Sequence, residues 1–250
     1  MKVFVIIPTY NERNNVRTLI NTLFTLYPFI NILVVDDNSP DGTQDAVRDL
    51  QRTFPNLHMN TRPGKLGLAS AYLESFEHIF KHHPDADVLI TMDADLSHDP
   101  VVINFMLRGM ETYDLVLGSR YIQGGSVENW EIKRQILSRG GNFYARIVSG
   151  IPIRDITSGY QCFRASLLSN RRFREITASG FAFQMELKMF AYSLNAKILE
   201  TPITFKNRVE GQSKISNHIV YEGLIVPWLL RKRLRKLLLR TVSPADPAQK

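Results

Sequence analysis

Cysteine is nearly absent from this sequence. Cys162 is alone in 250 residues, so no internal disulfide framework can form, which fits a reducing compartment. Its setting in "SGYQCFRA" suits a small buried hydrophobe better than a reactive thiol. Long apolar runs are missing too. The longest useful stretch is "GLIVPWLL" at 223–230, against the roughly 20 residues a membrane-spanning helix needs. The opening "MKVFVIIPTY" has a short apolar run that stops at Pro8, with no small-residue cleavage site, so it reads as a first buried strand rather than a signal peptide. The "PTYNERNN" that follows carries no glycine fingerprint, which argues against a dinucleotide-binding dehydrogenase. Acids are absent from "RKRLRKLLLR" at 231–240, which alone supplies six positive charges against a net of +7. The rest of the chain is close to neutral, so its basic character is a C-terminal feature and not the mark of a nucleic-acid groove.

Hydrophobic residues make up 44% of the chain, enough for a sizeable core. Apolar runs at 3–8, 31–37, 56–61, 87–93 and 114–119 read as strands, and amphipathic segments at 12–26, 41–53, 66–82 and 100–111 as helices. Continuous apolar strands alternating with helices predict an α/β fold, a mostly parallel sheet covered on both faces. Further on, 131–149 and 180–194 read as helices, 155–164 as a turn then a strand, 197–205 as a strand, and the glycine pair in "QGGSVENW" (123–130) as a mobile loop.

In such sheets functional groups gather beyond the carboxyl ends of the strands. The first strand ends in Pro8-Thr9-Tyr10-Asn11-Glu12, the second in Asp36-Asp37-Asn38-Ser39, the fourth in Asp93-Ala94-Asp95 and the fifth in Gly118-Ser119-Arg120. Asp93 and Asp95 would repel each other at so short a spacing unless a cation or donors neutralised them. Mg²⁺ and Mn²⁺ take oxygen ligands and share them with substrate phosphates, so the rim reads as a site for a nucleotide diphosphate and a metal. The plainer alternative is helix capping by Asp95 and Asp99; Asp41 is expected to cap the helix after "NSPDGT". An aspartyl-nucleophile phosphatase would also need a later acidic pair, and none follows Asp99.

"IIPTYNE", "VVDDNSPDGT", "KLGLASAY" and "MDADLSHDP", in this order and spacing, resemble an inverting family-two glycosyltransferase with the GT-A fold. With "GSRYIQGG", "KRQILSRGGNFYAR", "DITSGYQCFR", "GFAFQMEL" and "TFKNRVEGQSK", the chain is similar to the dolichol-phosphate (polyprenol-phosphate) mannosyltransferases from about residue 3 to residue 216. The resemblance implies a nucleotide pocket at Pro8, Tyr10, Glu12, Val35 and Asp37. It implies a diphosphate–metal motif at Asp93, Ala94 and Asp95, with Asp95 the direct ligand and Ser97 a weaker one. Arg120, Arg208 and Lys214 match positions around donor and phosphates; Arg134, Ser138 and Arg208 match acceptor-phosphate positions; Gln184 and Glu186 match positions that could meet sugar hydroxyls. It further implies Mg²⁺ or Mn²⁺, GDP-mannose as donor, and a dolichyl or polyprenyl phosphate as acceptor. Such a dianion needs positioning and charge neutralisation more than a general base.

The expected organisation is a GT-A catalytic domain over 1–216, a basic amphipathic helix over 217–240 and a disordered tail over 241–250. Residues 217–240 suit an interfacial helix on an anionic membrane, a helix packed on the catalytic domain or a docking site for a membrane-anchored partner subunit. Pro227 should break or kink it. The expected location is cytoplasmic, peripheral to the cytoplasmic face of a membrane, with no nucleic-acid partner. Alternatives are UDP-glucose or UDP-N-acetylglucosamine as donor, and a catalytically silent scaffold subunit.

Overall fold

The structure is a computed structural model and describes residues 1–178, 180–206 and 217–242. Strands β1 (Val3–Thr9), β2 (Asn31–Asp36), β3 (Leu57–Thr61), β4 (Val88–Thr91) and β5 (Leu115–Ser119) alternate with helices α1 (Arg13–Leu26), α2 (Thr43–Gln51), α3 (Leu68–His82) and α4 (Val102–Gly109). There follow β6 (Ser126–Val127), α5 (Ile132–Ser149), β7 (Gln161–Arg164), the short α6 (Ala165–Leu168), α7 (Gly180–Ser193), β8 (Ile198–Pro202), β9 (Thr204–Phe205) and α8 (Asn217–Val242).

Seven strands form one sheet in the order β3-β2-β1-β4-β7-β5-β8. All pairings are parallel except those of β7, which runs antiparallel between β4 and β5. The apolar runs are unbroken because both sheet faces are buried. Phe4 and Ile6 of β1 point into one core cluster with α3 and α7, while Val3, Val5 and Ile7 point into the other with α1, α2 and α4. Cys162 sits fully inside the second cluster, where burial pushes its thiol pKa up.

Two expectations change. The strand expected over 197–205 is two strands: β8 joins the large sheet, Ile203 turns into the core, and β9 pairs in parallel with β6. The "QGG" segment is a packed turn rather than an open loop. Gly124 takes φ +85°, and a Cβ on Gly125 would stand 2.6 Å from the Ser119 carbonyl oxygen, so only glycine fits.

The C-terminal helix is built into the domain. Leu230, Leu234 and Leu237 recur on one face of α8 and belong to the first core cluster. At about 2 kcal/mol per buried leucine they outweigh what its exposed basic side chains can contribute. α8 continues through Pro227. Thr241 and Val242 close it, and the rest of the expected tail lies outside the described residues.

At the amino-terminal edge of the sheet, His58 of β3 and His83 after α3 lie 5.3 Å apart, with Phe4 4.7 Å from His83. Lys2 stands beside them, paired with Asp85, and the tilted rings of His78 and His82 lie nearby, 4.5 Å from each other. Burial lowers the pKa of His58, His78 and His83, and the neighbouring cations add to it. Because these pKa values fall below the ordinary 6.5 on folding, the unfolded chain binds more protons in that range. Stability should therefore be full above about pH 6.5 and decline as pH falls below it. Urea midpoints stepped downward from about pH 8 should fall, and less steeply in His83→Gln; a flat profile would refute the cluster's role.

Candidate functional site

Four parallel strands end on one rim, and the antiparallel insertion of β7 brings a fifth segment, residues 155–160, to the same edge. Its parts do different work.

At the tips of β1 and β2 the two adjacent aspartates diverge. Asp36 is fully buried and accepts from Thr9 Oγ1 at 2.9 Å, Ser39 N at 2.8 Å, Ser39 Oγ at 2.6 Å and Gln44 Nε2 at 2.9 Å. So many donors make it a brace between loops rather than a cation ligand. Asp37 is paired instead with Arg62 at 2.6 Å, and Arg62 also reaches Glu74 of α3 at 3.0 Å. Arg62 was missed in the sequence; its signal is its place directly after β3, at the same rim as the other strand tips. Asn11, at φ 61°, turns the chain so that its N–H meets Ser39 Oγ, and the Glu12 N–H meets Thr43 Oγ1, both at 3.0 Å. Tyr10 is exposed, with Lys65 Nζ 4.4 Å above its ring. Pro8 is half-buried at the end of β1. Val35 is wholly buried in the core, so it supports the floor of this corner and does not line it. Asp41 accepts from the Thr43 N–H at 3.0 Å and secures the start of α2.

At the tip of β4, Asp95 is buried and its Oδ1 accepts from the Ser97 N–H at 3.1 Å and from Ser97 Oγ at 2.5 Å. Leu96 makes this turn possible by taking φ 62°, an uncommon conformation for a leucine and one that concentrates at functional sites. Ala94 packs inward. Asp93 keeps the more open carboxylate, at 33% exposure. His98, also missed in the sequence, is buried behind it. Its Nδ1 accepts from the Asp93 N–H at 3.1 Å and its ring stacks on Tyr160 at 4.6 Å. Because Nδ1 accepts that N–H, the ring proton sits on Nε2, 3.9 Å from Asp93 Oδ2. Burial lowers the His98 pKa against the pull of Asp93 and Asp95. Asp99 accepts from the Val101 N–H at 3.0 Å ahead of α4, a capping role. Among the described residues no group of three or more His, Cys, Asp or Glu could hold a metal ion, so Asp93 and Asp95 would form only part of the shell of any cation there.

Gly159 leaves room behind Asp93: a Cβ there would meet Gln184 Nε2 at 3.5 Å and Asp93 Oδ1 at 3.9 Å. Gln184 of α7 thus stands near the carboxylate, hydrogen-bonded to Gln161. Glu186 does not share that position. Its carboxylate accepts from the Thr177 and Ala178 N–H groups and pairs with Arg233 of α8. Residues two apart on a helix face different ways, which corrects the pairing of Gln184 with Glu186. Lys188 lies fully buried below, donating to the Ser158 and Gln184 carbonyls at 2.7 and 3.2 Å, and burial lowers its pKa to about 7.

Arg120, at the tip of β5, is locked in place. Its Nε and Nη2 grip both oxygens of Asp155 at 2.7 Å, and its N–H adds a third bond at 2.9 Å. Burial alone would lower its pKa, but the Asp155 charge and bonds more than reverse this. Asp155, a third missed residue, is fully buried and bonded through its own N–H to Glu200 at 3.0 Å. Arg134 of α5 stacks over Trp130, its guanidinium carbon 3.8 Å from the ring centre. Ser138, one turn along, shares a 2.6 Å hydrogen bond with the Tyr121 hydroxyl. The structure thus brings Arg120, Arg134 and Ser138 together around Tyr121 and Trp130. Arg208 and Lys214 lie outside the described residues.

A mostly parallel α/β sheet with an acidic Asp-x-Asp tip at its rim is the GT-A glycosyltransferase fold. Glucosyl-3-phosphoglycerate synthase of Mycobacterium tuberculosis, in a structure with Mn²⁺, UDP and glucosyl-3-phosphoglycerate, superposes with a TM-score of 0.62 at 15% identity, over 98% of this chain and 81% of that one. The model for "Glycosyl transferase family 2" matches residues 4–172, and the chain belongs to that family. It is 38% identical to a polyprenol monophosphomannose synthase of Mycolicibacterium smegmatis, over 93% of this chain and 89% of that one. It is 39% identical to an undecaprenyl-phosphate mannosyltransferase of Micrococcus luteus, over 90% of this chain and 92% of that one. The chain is therefore a glycosyltransferase.

Proposed function

We propose that the chain transfers mannose from GDP-mannose to the phosphate of a polyprenyl or dolichyl phosphate, with inversion at the anomeric carbon. The observation that carries this reading is an acidic tip at Asp93 and Asp95 on the rim where Arg120 feels the Asp93 charge, with Arg134 and Ser138 gathered beside Arg120 around Trp130 and Tyr121. The names of the two relatives support both the sugar and the lipid.

The hard oxygen donors of Asp93 and Asp95 fit Mg²⁺ or Mn²⁺, and Ser97, hydrogen-bonded to Asp95, orients that carboxylate more than it adds a ligand. When bound, the metal would offset charge on the departing diphosphate. Tyr10, Glu12 and Asp37 receive the nucleotide, with Pro8 at the edge of the corner and Val35 and Ala94 supporting it from the core. The acceptor phosphate, mostly a dianion near pH 7, sits on Arg134 and Ser138, joined by Arg208; Lys214 and Arg208 complete the donor side. One of its oxygens attacks the anomeric carbon as the bond to the diphosphate breaks, and the electron pair leaves with the diphosphate. No general base is required. Arg120 contributes field from its buried pair, holding the rim loops in register.

On this reading the chain works at a membrane surface, on its cytoplasmic face, where an acceptor with a lipid tail would be met. No helix among the described residues is long and apolar enough to cross one. Ile132, Ile136, Phe143 and Ile147 form an exposed apolar stripe on α5, and Leu224, Trp228 and Leu229 are exposed on the adjoining α8. Such faces suit peripheral contact with lipid or with a membrane-anchored subunit.

Transfer of labelled mannose from GDP-mannose to a short-chain polyprenyl phosphate should require Mg²⁺ or Mn²⁺ and stop with EDTA. Transfer from UDP-glucose or UDP-N-acetylglucosamine alone would keep the mechanism and replace the sugar. No transfer from any donor would leave the scaffold reading.

A further inference from the structure

Beside the acceptor corner, between the segment after β5 and α5, lies a cleft of about 460 Å³ whose lining includes four arginines: Arg120, Arg139, Arg146 and Arg154. Tyr121 and Phe143 also line it, and no carboxylate does. Arg120 is already committed to Asp155. For Arg139, Arg146 and Arg154 no carboxylate among the described residues forms an ion pair. Three like charges converging on one cleft repel one another unless an anion enters it.

We propose that this cleft holds the phosphate headgroup of an anionic phospholipid, at a position separate from the acceptor phosphate. The inference rests on the membrane association proposed above. Arg139, Phe143 and Arg146 recur at helical spacing and so share one face of α5. Phe143 is 65% exposed, and Ile136 and Ile147 extend the apolar surface beside it. Guanidiniums at headgroup depth with an aromatic ring and isoleucines reaching the acyl boundary match a bilayer surface, not a soluble anion. Arg154 approaches from another element. Its backbone N–H is fixed by Glu200 at 2.9 Å, next to the buried Asp155, so the cleft's far wall is preformed. Tyr121 divides the two anion positions. Its hydroxyl meets Ser138 on the acceptor side, while Arg139 stands 6.0 Å from its ring on the cleft side. A headgroup seated there would fix α5 against the membrane and set the depth at which an acceptor phosphate meets Arg134.

The test uses the full chain and the double variant Arg146→Gln/Arg154→Gln, in co-sedimentation with phosphatidylcholine vesicles with and without phosphatidylglycerol. The wild type should prefer the anionic vesicles, and the double variant should bind them about tenfold less tightly. Transfer to a short water-soluble polyprenyl phosphate, assayed without vesicles, should be unchanged. Unaltered vesicle binding by the variant overturns the proposal. A parallel loss of soluble transfer also overturns it, by making the cleft part of the substrate site. Thermal stabilisation by inorganic phosphate that depends on these two arginines, without any preference for anionic vesicles, would assign the cleft to a free anion instead. Vesicle binding needs no sugar transfer, so failure of the proposed reaction with every donor leaves this result readable.

Discussion

Asp95→Asn should lower sugar transfer by about a hundred- to a thousandfold, the range seen when one preorganised charge-stabilising group is lost. The substitution keeps the shape and leaves an oxygen to accept from Ser97, so the thermal midpoint should move little. The loss should fall mainly on kcat, because the charge on the diphosphate grows as the bond breaks. Added Mn²⁺ should shift the residual rate only at concentrations well above those that saturate the wild type. A folded variant transferring at the wild-type rate would remove Asp95 from the reaction and shift the burden to the more open Asp93.

Asp155→Ala should be the most destabilising substitution at the rim. It strands the buried Arg120 guanidinium, which makes two bonds to Asp155, and the Arg120 backbone N–H, which makes a third. Breaking a buried pair by removing one partner costs about 3–5 kcal/mol. For a chain of this size that is a fall in the thermal midpoint on the order of 10 °C. Replacing both partners, as Arg120→Met/Asp155→Leu, should recover much of the stability, because it leaves no orphaned charge. Activity should not return with it, since the rim loops lose the tie between β5 and the segment before β7. If Asp155→Ala melted like the wild type, the pair would have no structural role.

The local pattern carried far. The alternation of strands and helices up to residue 119 agrees with the structure to within one or two residues at most ends, since both faces of each strand are buried and the apolar run marks the strand directly. Asp93 and Asp95 were legible because they end such a run. Asp36 and Asp37 looked alike as neighbours, yet one is a four-donor brace and the other pairs with Arg62. Gln184 and Glu186 looked like one unit, yet they face apart around a helix.

The sequence by itself determined the α/β class, the acidic tip and the basic C-terminal run, because hydrophobic period, turn chemistry and charge are local properties of the chain. Only the tertiary structure decided which charges are spent. Arg62 meets Asp37 across 25 positions, Arg120 meets Asp155 across 35, and Arg233 of the basic run meets Glu186 across 47. Those pairings depend on β7 entering the sheet between β4 and β5 and on α8 laying its leucines into the core. Such long-range choices are made by burial and charge together, and leave no period in the sequence.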